Sequence, residues 1–251
     1  MTYTQRLNSY QWENSYNTLS EFKDIYVRNE KDCRRFVEGV FWMARSGAQW
    51  RLLPSDYGAW NTVYRRFADW ADKGVWYKML YYFANDPDRE YIMIDSTILR
   101  AHAWASVKIN KQPEEALGRS CGGFSTKIQG VCDALGNPLG FILTPGQDSD
   151  HTQAKQLMDE FDFGALLADK GYDSEALREF VASKKAAPEI PPRNNRMVQL
   201  KYDGHLYKER HTIECLFGFL KHYRRIFSRF DKYVSRLSAF LHFVAALQWL
   251  K

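Results

Sequence analysis

The spacing of apolar residues divides the chain into two regions of different period that meet near residue 88. In the first, Phe36, Val37, Val40, Phe41 and Ala44 recur at helical spacing and predict a helix over residues 32–44. The turn-rich stretch WRLLPSDYGAW follows, broken by Pro54 and Gly58. A second helix opens near Trp60, with Asn61 or Thr62 as its cap. Trp60, Val63, Tyr64, Phe67 and Trp70 share one face of it, which leaves Asn61, Arg65, Arg66 and Asp69 outside. Gly74 closes it, and residues 75–83 read as a third short helix. Short helices with a basic outer face suit a helix-turn-helix-like DNA reader, and equally a plain bundle with solvated arginines.

Beyond residue 88 the period shortens. The run YIMI ends at Asp95, and residues 126–132 and 139–144 flank the turn DALGNP as an antiparallel hairpin. Residues 151–161 read as helical, and 165–168 form a second apolar run that ends at Asp169. Ser174 caps a helix to about residue 183, and 186–190 read as a strand. After the loop PPRNNR comes a long helix over 207–223. The apolar stretch at 237–250 is too short to span a bilayer and contains His242 and Gln248, so a core helix is expected. A hairpin followed by strand–helix alternation predicts a mixed α/β sheet.

Composition adds a partner. Aromatic residues at 16% and charged residues at 26% supply a core and exclude a disordered chain. From Arg193 onward there are twelve Lys/Arg against four Asp/Glu, whereas the first 192 residues hold 23 against 26. A basic C-terminal quarter suits a polyanion, and nucleic acid is the common one; a solvated basic helix face has the same composition. The four cysteines lie apart with no metal-finger spacing, which suits reduced thiols, and the polar first residues lack a signal peptide's apolar run, so a cytoplasmic protein is expected.

Two apolar runs that each end on an aspartate bring chemistry into view. If the strands are parallel neighbours, both carboxylates stand at one edge of the sheet, where ligands gather in open α/β folds. A single such aspartate is ordinarily a turn residue or a cap. On an α-helix, Tyr207, Arg210, Glu214 and Lys221 fall within an arc of roughly 60°, opposite Ile213, Leu216, Phe217 and Leu220. Taken alone, Arg210 and Glu214 would be an ordinary surface pair. Together, Asp95, Asp169 and Glu214 are the oxygen donors that Mg²⁺ prefers, and two such ions suffice to cut a phosphodiester.

These residues carry a resemblance. Tyr207-x-x-Arg210-x-x-x-Glu214 followed by Lys221 reproduces the signature around the third acidic residue of bacterial insertion-sequence DDE transposases, close to the insertion-sequence-five family. IDST at 94–97 and ADKGYD at 168–173 resemble that family's first and second catalytic blocks, and GRSCGGFSTK, DALGNP, LTPGQ and IPPR are similar to further stretches. SGAQWRLLP and YGAWNTVYRRFADW resemble the helical domain that precedes its core. Cys121 and Gln129 sit where relatives more often carry Arg and His.

The resemblance implies an RNase H-like mixed sheet flanked by helices over residues 89–251, after a small all-helical, DNA-binding domain over 1–88. The first aspartate would lie on the first strand, the second just after the fourth, and the glutamate on a later helix. Asp95, Asp169 and Glu214 would hold two Mg²⁺ ions, with Mn²⁺ as a substitute. Tyr207, Arg210, Lys221, Arg224, Arg225, Lys170, Arg193, Arg65 and Arg66 would contact double-stranded DNA, namely terminal inverted repeats and target. The working species on DNA would be a dimer or larger, associated with the bacterial nucleoid and not with a membrane. Two alternatives are a stand-alone RNase H-like nuclease and a transposase-derived DNA-binding regulator without catalysis.

Overall fold

The computed structural model describes residues 6–27, 29–106, 115–120, 122–194, 196 and 199–251. In chain order the elements are α1 (Ser9–Glu21), α2 (Glu30–Ser46), α3 (Trp60–Asp72), α4 (Val75–Phe83), β1 (Tyr91–Ala101) and α5 (Ala103–Ser106). Then come β2 (Gly118–Ser120), β3 (Gly123–Cys132), β4 (Pro138–Pro145), α6 (Ala154–Met158), β5 (Ala165–Leu167), α7 (Glu175–Ser183) and β6 (Ala187–Glu189). The last are α8 (His211–Lys221), α9 (Arg224–Phe227), β7 (Ser228–Arg229) and α10 (Val234–Gln248). Short 3-10 turns lie between several of them.

Two compact units result, and they are distributed differently from a single cut near residue 88. One gathers Met1–Asn85, His102–Val107 and Leu220–Lys251; the other holds Asp86–Ala101 and Lys108–Phe219.

The first unit is helical. Its entry helix α1, not among the helices expected above, starts at a capping box. Asn8 accepts from the Gln11 backbone N–H at 2.8 Å, and Gln11 accepts from that of Asn8 at 3.2 Å. Helix α2 ends at Gly47 in the left-handed region, φ 63°, which an L side chain adopts at a cost. Helix α3 begins without the expected side-chain cap: Ala59 holds the cap position, and the Asn61 side chain accepts from the Thr62 N–H instead. The apolar C-terminal helix is indeed a core helix. Phe240 of α10 lies 4.4 Å from Phe67 of α3, and Phe243 lies 4.8 Å from Trp76 of α4. Enclosure by α3 and α4 explains why α10 is apolar nearly all round. Among the described residues, no helix is long and apolar enough to cross a membrane.

The second unit is built on a mixed sheet. β3 lies between β1 on one side and β2 with β4 on the other, and β1 continues to β5 and β6. β3 pairs antiparallel with β1, β2 and β4, whereas β1, β5 and β6 run parallel. The expected hairpin around DALGNP is present. Its turn is held by Asp133, whose carboxylate accepts from the N–H groups of Leu135, Asn137 and Asp88.

Two expectations about the strands that lead to the aspartates change. β1 does not end at Asp95 but runs on to Ala101, because antiparallel pairing with β3 continues from Met93 to Arg100 after the parallel partner β5 has stopped. The second aspartate follows the fifth strand, because the short β2 adds one strand at the edge of β3. The segment at 207–223 is also not one α-helix: Leu206–Arg210 is a 3-10 turn leading into α8.

Candidate active site

Parallel register brings the two aspartates together. Met93 of β1 lies opposite Leu167 of β5, and two residues further along each chain come Asp95 and Asp169. Asp95 points to the sheet face covered by α8: its register partner Gly130 has Phe217 of α8 so close that a Cβ would approach that ring to 3.1 Å. Asp169 caps the 3-10 turn Lys170–Tyr172, and its Oδ1 accepts from the Gly171 N–H at 2.8 Å. The IMID and LLAD runs thus fold locally as buried strands that deliver a carboxylate where β5 gives way to a turn.

The third carboxylate arrives through Arg210. That guanidinium donates to Asp95 Oδ2 at 3.0 Å and to Glu214 Oε1. Glu214 stands on the open side of α8, while Ile213, Leu216, Phe217 and Leu220 are buried as the sequence pattern requires. Arg210 also lies over the Tyr207 ring. Among the described residues, no three His, Cys, Asp or Glu side chains are placed to hold a metal ion together. Asp95 and Asp169 offer hard oxygens from adjacent strands, and Glu214 is occupied by Arg210.

The electrostatics are those of crowded acids. Burial raises the Asp95 pKa above the ordinary carboxylate value and the nearby Asp169 charge adds to it. The Ser96 N–H and Arg210 pull the other way without cancelling it. Burial likewise raises the Tyr207 phenol, opposed by Arg210. A cation beside Asp95 and Asp169 would relieve their repulsion, so the pair fits a hard divalent ion in donor chemistry.

The basic candidates separate into two groups. Lys170 and Arg193 line a cavity of about 450 Å³ with Asp169, Gly171 and Asn194. The Arg193 guanidinium is anchored there by the Lys170 and Gly171 carbonyls, at 3.2 and 2.7 Å. In the helical unit Arg65 and Arg224 are exposed, and Lys221, the last residue of α8, is half-buried. Two further candidates have partners inside the unit. Arg66, expected on the outer face of its helix, lies over the Phe36 and Trp70 rings and donates to the Tyr26 and Val27 carbonyls. Arg225 is 3% exposed, paired with Asp231 at 3.0 Å and bound to the Ala48 carbonyl at 2.6 Å. Each guanidinium is thus engaged by partners inside the unit. Cys121 lies outside the described residues. Gln129 is fully buried opposite Ser96, and its amide has no hydrogen-bond partner among the described residues.

With this geometry in place, comparison with known proteins is decisive. A family model described as "Transposase DDE domain" matches residues 86–249, and one described as "Putative transposase of IS4/5 family" matches residues 7–80. The chain belongs to the DDE transposase family. This family member is 41% identical over 129 residues to a "putative transposase for insertion sequence element IS6501" of Brucella ovis, covering 51% of the chain and 99% of the relative. It is 29% identical over 167 residues to a "putative transposase for insertion sequence element IS402" of Burkholderia cepacia, covering 62% and 74%. Among solved structures it is similar to a piggyBac transposase in a synaptic complex with hairpin DNA. That match has 13% identity and a TM-score of 0.40, over 74% of this chain and 48% of the other.

Proposed function

We propose that this family member binds the terminal inverted repeats of an insertion sequence, cuts the DNA at their 3′ ends, and joins the freed 3′-hydroxyls to target DNA. The parallel pairing of β1 with β5, with Asp95 and Asp169 each two residues beyond its last pair, is the observation that carries this reading. DDE domains use divalent metal ions. Here Asp95 and Asp169 would hold Mg²⁺, or Mn²⁺ in its place, and Glu214 would join once Arg210 is engaged elsewhere. When bound, two such ions supply an activated water and a stabilised leaving oxygen.

The chain's own residues do the rest. Arg210 and Tyr207 stand beside Asp95 and can take phosphate oxygens on the bound strand, positioning it without reading its sequence. Lys170 and Arg193 extend basic character around Asp169. Arg65, Lys221 and Arg224 are the further contacts to duplex DNA. Bringing two ends together implies at least a dimer on DNA, working at the nucleoid of a bacterial cell.

Testing this requires labelled duplex DNA carrying the element's end, incubated with protein and Mg²⁺. The expected result is a nick at the 3′ end of the repeat, followed by strand transfer into plasmid DNA. Cutting without transfer or end preference would indicate a nuclease, and tight end binding without cutting would indicate a regulator.

A further inference from the structure

Asp95 and its neighbour Ser96 face opposite sides of β1, and the Ser96 side holds a charged cluster of its own. Ser96 Oγ donates to Asp150 Oδ1 at 2.7 Å. Lys127 Nζ donates to the same oxygen at 2.7 Å and to the Asp148 carbonyl at 2.6 Å. The Lys127 side chain is only 10% exposed. The turn that carries Asp150 packs against the turn Lys170–Tyr172, whose Tyr172 is buried.

These contacts form one chain through the second unit. Lys127 comes from β3, Asp150 from the turn after β4 and Ser96 from β1, and Asp150's turn packs on the turn that Asp169 caps. Ser96 also gives its backbone N–H to Asp95 Oδ1 at 2.8 Å. The cluster therefore grips the backbone next to the first aspartate and the turn next to the second. A nearly buried ammonium holds its place only while its carboxylate partner remains, which makes Lys127 and Asp150 a fixed unit.

We propose that Lys127 and Asp150 are positioning residues, which hold Ser96 and the turn Lys170–Tyr172 so that the Asp95 and Asp169 carboxylates keep the separation a divalent ion needs. This rests on the metal-dependent reading above. Groups that orient metal-binding carboxylates usually cost tenfold to a hundredfold in metal affinity when removed.

The test uses the full-length protein and Mn²⁺, followed by electron paramagnetic resonance without DNA, alongside end-DNA affinity. Lys127→Met and Asp150→Asn should each weaken Mn²⁺ binding about tenfold or more. Their combination should do no worse than the poorer single variant, as for groups acting as one unit. Lys127→Arg should recover most of the loss, and end-DNA affinity should stay within about twofold of the parent for all of them. Ser96→Ala removes only the linking hydroxyl; should the Lys127 variant not fold, Ser96→Ala in a folded protein is expected to show the same Mn²⁺ defect. Parent-like Mn²⁺ binding in folded Ser96→Ala or Asp150→Asn would overturn the proposal, as would losses that multiply in the double variant. A parent that binds Mn²⁺ with this variant pattern yet never cuts DNA would sink the transposition reading and leave the positioning role standing.

Discussion

Asp95 and Glu214 are joined by a single guanidinium. Arg210 donates to Asp95 at 3.0 Å and, one helical turn before Glu214, to that carboxylate as well. One guanidinium thus bridges the first and third acids, and Asp169 follows β5, the parallel neighbour of β1. On the proposed function, a metal ion would compete with Arg210 for the same oxygens.

Arg210→Ala should therefore bind Mn²⁺ more tightly in the absence of DNA. A hydrogen bond to a charged group is worth about 1.5–3 kcal/mol, so a gain of roughly tenfold is expected by the usual conversion. The same variant should bind end DNA more weakly, with a salt dependence shallower by about one phosphate contact. A Mn²⁺ titration and a salt series read both effects. Unchanged or weaker metal binding would mean that Arg210 does not hold these acids.

Asp173 should make stability depend on acid pH. Burial pushes its pKa up, but the Arg193 N–H and the Arg178 and Arg196 guanidiniums outweigh that and leave it below the ordinary 3.8. A carboxyl lowered by folding stabilises the protein above its unfolded value, and that contribution is lost as pH falls through the lower folded value. Asp173→Ala strands the buried Arg178 and should cost about 3–5 kcal/mol near neutrality. Urea denaturation should show the gap from the parent protein narrowing once pH drops below 3.8. A gap independent of pH would remove the ionic account.

Gln129 offers the opposite sign. Its buried amide makes no hydrogen bond among the described residues. Replacing an unsatisfied polar group by an apolar one of similar size removes a penalty of about 1–3 kcal/mol. Gln129→Leu is expected to raise the urea midpoint, and a lowered midpoint would show that the amide is satisfied in solution.

Much of this was legible in the chain because it depends on short-range pattern. The helices at 32–44 and 75–83, the hairpin around DALGNP and the Ser174 cap follow from period and turn chemistry. The aspartates were legible because each closes an apolar run. What escaped was set by distant partners. β1 continues past Asp95 only because β3 pairs with it. Arg66 and Arg225 turn toward carbonyls and rings of remote segments, and a helical wheel cannot see those. The stripe through Tyr207 assumed a continuous α-helix, where a 3-10 turn intervenes. Helix α1 had readable signals in the Asn8-x-x-Gln11 capping box and in Trp12, Tyr16 and Leu19 at helical spacing behind it.

The most direct test of the three-carboxylate account is end cleavage by Asp169→Ala beside the parent protein. Asp169 makes no contact with Arg210 among those described, so its loss leaves the Asp95–Arg210–Glu214 bridge in place. On labelled inverted-repeat DNA with Mg²⁺, the parent is expected to nick the 3′ end. The variant is expected to bind the DNA with similar affinity and release no measurable product. Cleavage by Asp169→Ala at the parent rate would contradict the account.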